Sequence, residues 1–114
     1  MKVLLVNGSP NVKGCTNRAL KEVQDELIKE GIEAEIFWIG NKPIGGCMAC
    51  GQCRNGNGCI INDKVNEFIE KAKECDAFVF GSPVYYAGCA GNMKSFLDRS
   101  FYSGSKHLRG KLGA

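Results

Sequence analysis

Two short runs constrain this chain more than anything else in it. Val3-Leu4-Leu5-Val6 and Ala77-Phe78-Val79-Phe80 contain no polar residue. Each stops at a turn rich in glycine, serine and proline: Asn7-Gly8-Ser9-Pro10 and Gly81-Ser82-Pro83. A strand with one face in water alternates polar and apolar residues. An unbroken apolar run of this length implies a strand buried on both faces, which needs cover on both sides.

The apolar period elsewhere is helical. Leu20, Val23, Leu27 and Ile28 share one face of a helix expected over Asn17 to Glu30, with Thr16 as N-cap and Gly31 as stop. Asp63 is placed to cap a second helix whose apolar face is Val65, Phe68, Ile69 and Ala72. A third helix is expected over Gly91 to about Phe101, with Met93, Phe96, Leu97 and Phe101 on one face. Between the first two helices, Glu33 to Ile39 reads as a strand whose glutamates place an edge or face in water. The tail from Tyr102 to Ala114 shows no clear element.

Strand, helix, strand, long loop, helix, strand, helix is the order of an α/β fold. It implies a parallel sheet with right-handed crossovers and helices on both faces. Ligands in such folds sit beyond the carboxyl ends of the strands. Two polar loops lie there, Ser9–Asn17 and Ser82–Ala90. The chain of 114 residues is expected to form one domain, with residues 40–62 as a cysteine-rich insertion. A net charge of +3, evenly spread, gives no sign of a nucleic-acid partner. No apolar run approaches the roughly 20 residues of a membrane span, and the N-terminal run is too short for a secretion signal, so a cytoplasmic location is expected.

The first loop joins a buried strand to a helix N-terminus, where free backbone N–H groups and the helix dipole favour an anion. Ser9, Thr16 and Asn17 add neutral donors. The glycine spacing matches neither the dinucleotide fingerprint nor the Walker loop. The alternative is a plain strand–helix turn. In the second loop, Tyr85 and Tyr86 either pack as a helix entry or meet a flat aromatic ligand, whose polar edge the backbone of a tight loop can reach.

Residues 40–62 hold six of the fifteen glycines and four of the seven cysteines. Cys47, Cys50, Cys53 and Cys59 form a C-x2-C-x2-C-x5-C run. In a chain without an export signal, such clusters point to metal or redox chemistry rather than to disulfides. The x2 spacings let successive thiolates converge on one iron–sulfur cubane. Structural zinc normally uses two pairs set further apart. Zinc, or a loop left empty, reduced or partly disulfide-bonded, are the other readings. Cys75 reads as a small buried hydrophobe, Cys15 and Cys89 as structural or loop residues, and His107 as a solvated residue of the basic tail.

V-N-G-S-P at Val6–Pro10, G-x-T-N at Gly14–Asn17, G-S-P-V-Y-Y at Gly81–Tyr86 and M-K-x-F-L-D-R at Met93–Arg99 occur in one order across the chain. Together they resemble the NADPH-dependent FMN reductase family of flavodoxin-like proteins. With the compact cysteine motif, the chain is similar to the iron–sulfur flavoprotein branch. That resemblance implies a doubly wound parallel sheet with three α/β/α layers. It puts Ser9, Thr16 and Asn17 on the FMN phosphate, and Pro83, Val84, Tyr85 and Tyr86 at the flavin ring. It makes Cys47, Cys50, Cys53 and Cys59 ligands of a [4Fe–4S] cluster.

The implied activity is an FMN-dependent oxidoreductase, taking electrons from reduced nicotinamide, NAD(P)H, or from a reduced ferredoxin. A non-catalytic electron carrier and a zinc-stabilised interaction module are the competing functions. Flavodoxin-like sheets have strand order 2-1-3-4-5. Here three strands are evident and Arg109–Ala114 resembles the approach to a fourth. The chain is therefore expected to be truncated after its third strand–helix unit, a fragment whose third strand is an exposed edge. Association into a homodimer or homotetramer, with the third helix in the contact, is expected with it.

Overall fold

The computed structural model describes residues 1–114. Its centre is β1, Lys2–Asn7, buried from Val3 onward as its composition requires. β2 (Glu33–Trp38) pairs parallel with β1 from Lys2 opposite Glu33 to Asn7 opposite Trp38. On the other side β3 (Ala77–Gly81) pairs parallel from Val3 opposite Ala77 to Asn7 opposite Gly81. A short β4, Leu112–Gly113, continues the sheet beside β3, so the order is β2-β1-β3-β4.

Side chains of a strand alternate between faces, and β1 divides the core accordingly. Val3 and Leu5 meet Leu20 and Ala77, beneath α1 (Cys15–Lys29). Leu4 and Val6 belong to the larger cluster beneath α2 (Lys64–Ala72) and α3 (Gly91–Ser103). Phe68 is the centre of that cluster. Its ring lies 5.1 Å from Phe96, 5.7 Å from Phe78, 6.0 Å from Phe37 and 6.2 Å from Phe80, centroid to centroid. Helices therefore cover both faces, the three-layer flavodoxin-like arrangement.

The helix ends follow local chemistry. α1 stops because Gly31 takes a left-handed φ of 76°. That lets the Ile32 N–H reach the Leu27 carbonyl at 3.0 Å and the Gly31 N–H reach Ile28 at 3.0 Å, the paired bonds of a Schellman cap. Asp63 caps α2 as expected, accepting the Val65 N–H at 3.1 Å. The four apolar residues of the α2 face, Val65, Phe68, Ile69 and Ala72, are all buried.

Several expectations need adjustment. α1 starts at Cys15, with Gly14 in the N-cap position and no side chain capping it; Thr16 lies inside the first turn. The buried face of α3 runs through Met93, Phe96, Arg99 and Ser100, while Phe101 is 46% exposed. The helix is rotated so that an arginine, not a phenylalanine, enters the interior. The tail is structured too, as a four-residue α4 (Ser105–Leu108) and β4. β4 covers the edge of β3, with the Phe80 N–H bonded to Ala114 at 2.8 Å. His107 is half-buried rather than solvated, and burial, with Lys106 and Lys73 nearby, lowers its pKa.

Gly104 is where α3 and α4 meet α2. A Cβ there would fall 2.0 Å from Ile69 Cδ1 and 2.9 Å from the Ser100 carbonyl oxygen. Gly104→Ala is expected to lose about 1–3 kcal/mol of stability, the usual cost of overpacking. Equilibrium urea unfolding reads this out, and an unchanged midpoint would contradict the packing described.

Candidate functional site

The carboxyl ends of β1 and β3 lie side by side, and the two polar loops leave the sheet from there. The Gly8 N–H donates to the Gly81 carbonyl at 2.8 Å, so the loops start in contact. Gly8 cannot be replaced freely, because a Cβ would fall 2.5 Å from Met93 Sδ and 3.0 Å from the Gly81 oxygen. At Gly81 a Cβ would fall 3.0 Å from Thr16 Cγ2. These glycines let α1, α3 and both loops converge on one spot, where helices change sides between β1 and β3.

The first loop is a chain of side-chain turns. Asn7 Oδ1 accepts the Ser9 N–H at 2.9 Å, and Ser9 Oγ accepts the Asn11 N–H at 3.1 Å. Trp38 pins the loop from β2, donating its indole N–H to the Ser9 carbonyl at 2.7 Å. Ser9 is buried, while Thr16 and Asn17 are half-buried on the first turn of α1. With no side-chain cap, the first N–H groups of that turn are open. Asn7 Nδ2 is buried without a partner.

The second loop is a tight excursion. Val84 and Cys89 form an antiparallel bridge, and the Ala90 N–H reaches both the Pro83 carbonyl (3.1 Å) and Ser82 Oγ (3.0 Å). Ala87 takes a φ of 55°, a left-handed conformation unusual for a residue with a side chain. Pro83 is half-buried. Val84 and Tyr85 stand out from the surface, and Tyr86 is 93% exposed. Open amides and hydroxyls on the first loop and exposed tyrosines on the second are groups that a phosphate-bearing aromatic cofactor can use.

The cysteine segment is clamped at both ends by the helices. On α3, Asn92 accepts the Ile44 N–H at 3.0 Å and donates to the Lys42 carbonyl at 3.1 Å. On α2, Asn66 accepts the Cys59 N–H at 3.1 Å and donates to the Cys59 carbonyl at 2.9 Å. Arg99 lies between these clamps and is only 1% exposed. Its guanidinium grips Asp63 through both carboxylate oxygens, at 2.7 and 2.8 Å, and donates to the carbonyls of Gly45 (3.2 Å) and Ile61 (3.0 Å). The Asp63 carboxylate raises the Arg99 pKa against the opposing effect of burial, so the group stays charged.

Cys47, Cys50, Cys53 and Cys59 all line one small, mainly apolar cleft, together with Met48, Ile60, Ile61, Arg99 and Tyr102. All seven cysteines of the chain are free. No three acidic, histidine or cysteine side chains stand close enough together to form a metal site. The donor set nonetheless fits a soft metal or iron–sulfur group: four thiols around an apolar cleft, a buried cation among the lining residues, and left-handed glycines at 51, 56 and 58 that turn the backbone. Cys75 is buried beneath α2, its thiol pKa raised by burial, and Cys15 and Cys89 are exposed away from this cleft.

Residue types alone did not reveal Trp38, Asn66, Asn92 and the Arg99–Asp63 pair as parts of this site. A signal existed for Arg99. It stands three residues after Phe96 on an apolar helix face, and a lone cation in such a place needs a buried partner.

The profile of the NADPH-dependent FMN reductase family matches residues 1–114. An iron–sulfur flavoprotein of Methanocaldococcus jannaschii is 37% identical over 100 residues, spanning 88% of this chain and 52% of its own length. One from Archaeoglobus fulgidus is 37% identical over 116 residues, spanning 100% of this chain and 57% of its own. The chain thus spans little more than half the length of these relatives. Among solved structures, an NAD(P)H:quinone oxidoreductase from Methanothermobacter marburgensis superposes with a TM-score of 0.71 at 19% identity, over 91% of this chain and 55% of that one.

Asn66→Ala removes both bonds to the Cys59 peptide. At about 1 kcal/mol per hydrogen bond, exchange of the Cys59 amide should rise about fivefold or more. Amides in the middle of α2 should keep their protection. Hydrogen exchange read by NMR checks both, and unchanged exchange at Cys59 would contradict the clamp.

Proposed function

We propose, from the premise that this chain belongs to the NADPH-dependent FMN reductase family and groups within it with the iron–sulfur flavoproteins, that it serves an FMN-dependent oxidoreductase. Electrons would pass from reduced nicotinamide or a reduced ferredoxin to an acceptor. The observation that carries the reading is the meeting of the two loops beyond β1 and β3, with a four-cysteine cleft along the same helix α3.

In this reading Ser9, Thr16, Asn17 and the open amides of α1 hold the FMN phosphate, helped by the positive end of the helix dipole. Pro83, Val84, Tyr85 and Tyr86 receive the flavin ring, the tyrosines offering a flat apolar surface and the backbone meeting the polar edge. Cys47, Cys50, Cys53 and Cys59 hold a [4Fe–4S] cluster as thiolates. When bound, flavin would accept electrons as a pair and release them singly and the cluster would carry one at a time; the protein orients both and sets their surroundings. No side-chain acid or base is required. From Gly91 at the exit of the flavin loop to Arg99 in the cysteine cleft, α3 advances about 12 Å.

Association into a dimer or tetramer belongs to the same proposal and is supported by Phe101 and Tyr102, which α3 exposes. Sedimentation at micromolar concentration tests it; a stable monomer would count against it. A cytoplasmic setting is part of the same proposal; no helix is long and apolar enough to cross a membrane.

Thr16→Glu places a carboxylate where the phosphate is held. FMN affinity should fall about tenfold or more, at least 1.4 kcal/mol. A flavin titration showing unchanged affinity would remove the phosphate assignment.

Iron and sulfide analysis of anaerobically purified full-length protein, alongside its visible spectrum, tests the cluster. Serine variants at Cys47, Cys50, Cys53 and Cys59 should each lose iron, and those at Cys15, Cys75 and Cys89 should keep it. Zinc in place of iron would leave the flavin reading standing and replace the cluster by a structural site.

A further inference from the structure

The guanidinium of Arg99 has five N–H donors, and the structure accounts for all of them. Four are directed at Asp63, Gly45 and Ile61. The fifth, on Nε, points at Cys59 Sγ at 3.4 Å, and Nη2 lies at the same distance from that sulfur. One edge of a buried, permanently charged group therefore faces one particular thiol. The other cysteines of the run differ. Cys47 accepts only the backbone N–H of Ala49, at 3.4 Å. The arginine cannot turn away, because the bidentate carboxylate and two carbonyls fix its plane.

We infer that Arg99 is a positioning residue for Cys59: its Nε–H, with an Nη2 N–H shared with the Ile61 carbonyl, holds this sulfur in place and raises the reduction potential of the iron–sulfur group that Cys59 helps to bind. The inference rests on the cluster reading above. Reduction adds negative charge that spreads onto the coordinating sulfurs. Hydrogen-bond donors and a nearby cation stabilise that charge, and they do so strongly where water is excluded. Partners outside the ligand set are known to orient ligands and tune the metal in this way. Asp63 sets the strength of the effect, because its carboxylate offsets part of the guanidinium charge felt at the sulfur.

Asp63 and Arg99 thus act in opposite directions on the potential while acting together on the fold, and this separates tuning from mere support. Asp63→Asn keeps a competent helix cap, since asparagine caps as well as aspartate. It leaves the arginine charge less compensated and should raise the midpoint potential. Adding Arg99→Gln to that variant removes both the charge and the fork. The midpoint should then fall below that of Asp63→Asn by about 59 mV, a tenfold change for a one-electron couple.

The experiment uses the full-length protein, reconstituted anaerobically and titrated redox-potentiometrically with EPR detection. Iron and sulfide content are measured in each sample. Protein grown with ¹⁵N-arginine adds a direct readout: reduced wild type should show hyperfine coupling to a guanidinium nitrogen, absent from the double variant. Opposite shifts, with the coupling present, support the inference. Iron-loaded variants with unchanged midpoints, or shifted in the same direction, overturn it and leave the cluster reading intact. Wild type devoid of iron overturns the cluster reading and this role together. Should the double variant fail to fold, the Asp63→Asn shift and the labelled wild type decide: no rise and no coupling refute the role.

Discussion

Removing a guanidinium from water is costly, and the interior of this domain accepts one in full. It can do so because Asp63 meets Arg99 through two oxygens and two backbone carbonyls take remaining donors. Breaking such a pair from one side leaves an uncompensated buried charge, typically a loss of about 3–5 kcal/mol. The pair does more than stabilise. Asp63 also caps α2, so one carboxylate ties the start of α2 to the middle of α3. The two carbonyls belong to Gly45 and Ile61, on either side of the cysteine run. The shape of that run therefore depends on a charge placed behind it as well as on its own glycines.

The sheet was largely readable in advance because its physics is local. Val3–Val6 and Ala77–Phe80 have nothing polar to place in water, and the structure gives them the two central positions. The α2 face was readable for the same reason: a side-chain cap followed by a clean helical period. α3 was not, because its period is ambiguous. Phe101 and Arg99 compete for the interior, and Asp63, thirty-six residues away, decides in favour of the arginine. β4 has two residues and no preference of its own; it is a strand because β3 offers an edge. At the site, cysteine spacing pointed to the four thiols that line one cleft. The clamps did not show, since Asn66 and Asn92 look like any polar residue on a helix until the peptides they hold are known.

α3 links the two halves of the site as a rigid strut. Its first turn carries Asn92 against the entry to the cysteine segment and Met93 against Gly8 of the first loop. Two turns later Arg99 reaches the cleft. Both loops and the cysteine segment are thus referenced to one helix axis, and that axis is held by the aromatic cluster around Phe68. Precision at the site comes from this packing together with the side-chain turns of Asn7, Ser9 and Ser82 within the loops.

Trp38 has one further consequence. It is the sole tryptophan of the chain, and its indole N–H is committed to the carbonyl of Ser9. The protein thereby carries an intrinsic optical reporter wired to the first loop. Any event that tightens, loosens or displaces that loop changes the surroundings of this indole, and within these 114 residues its emission is not mixed with that of a second tryptophan.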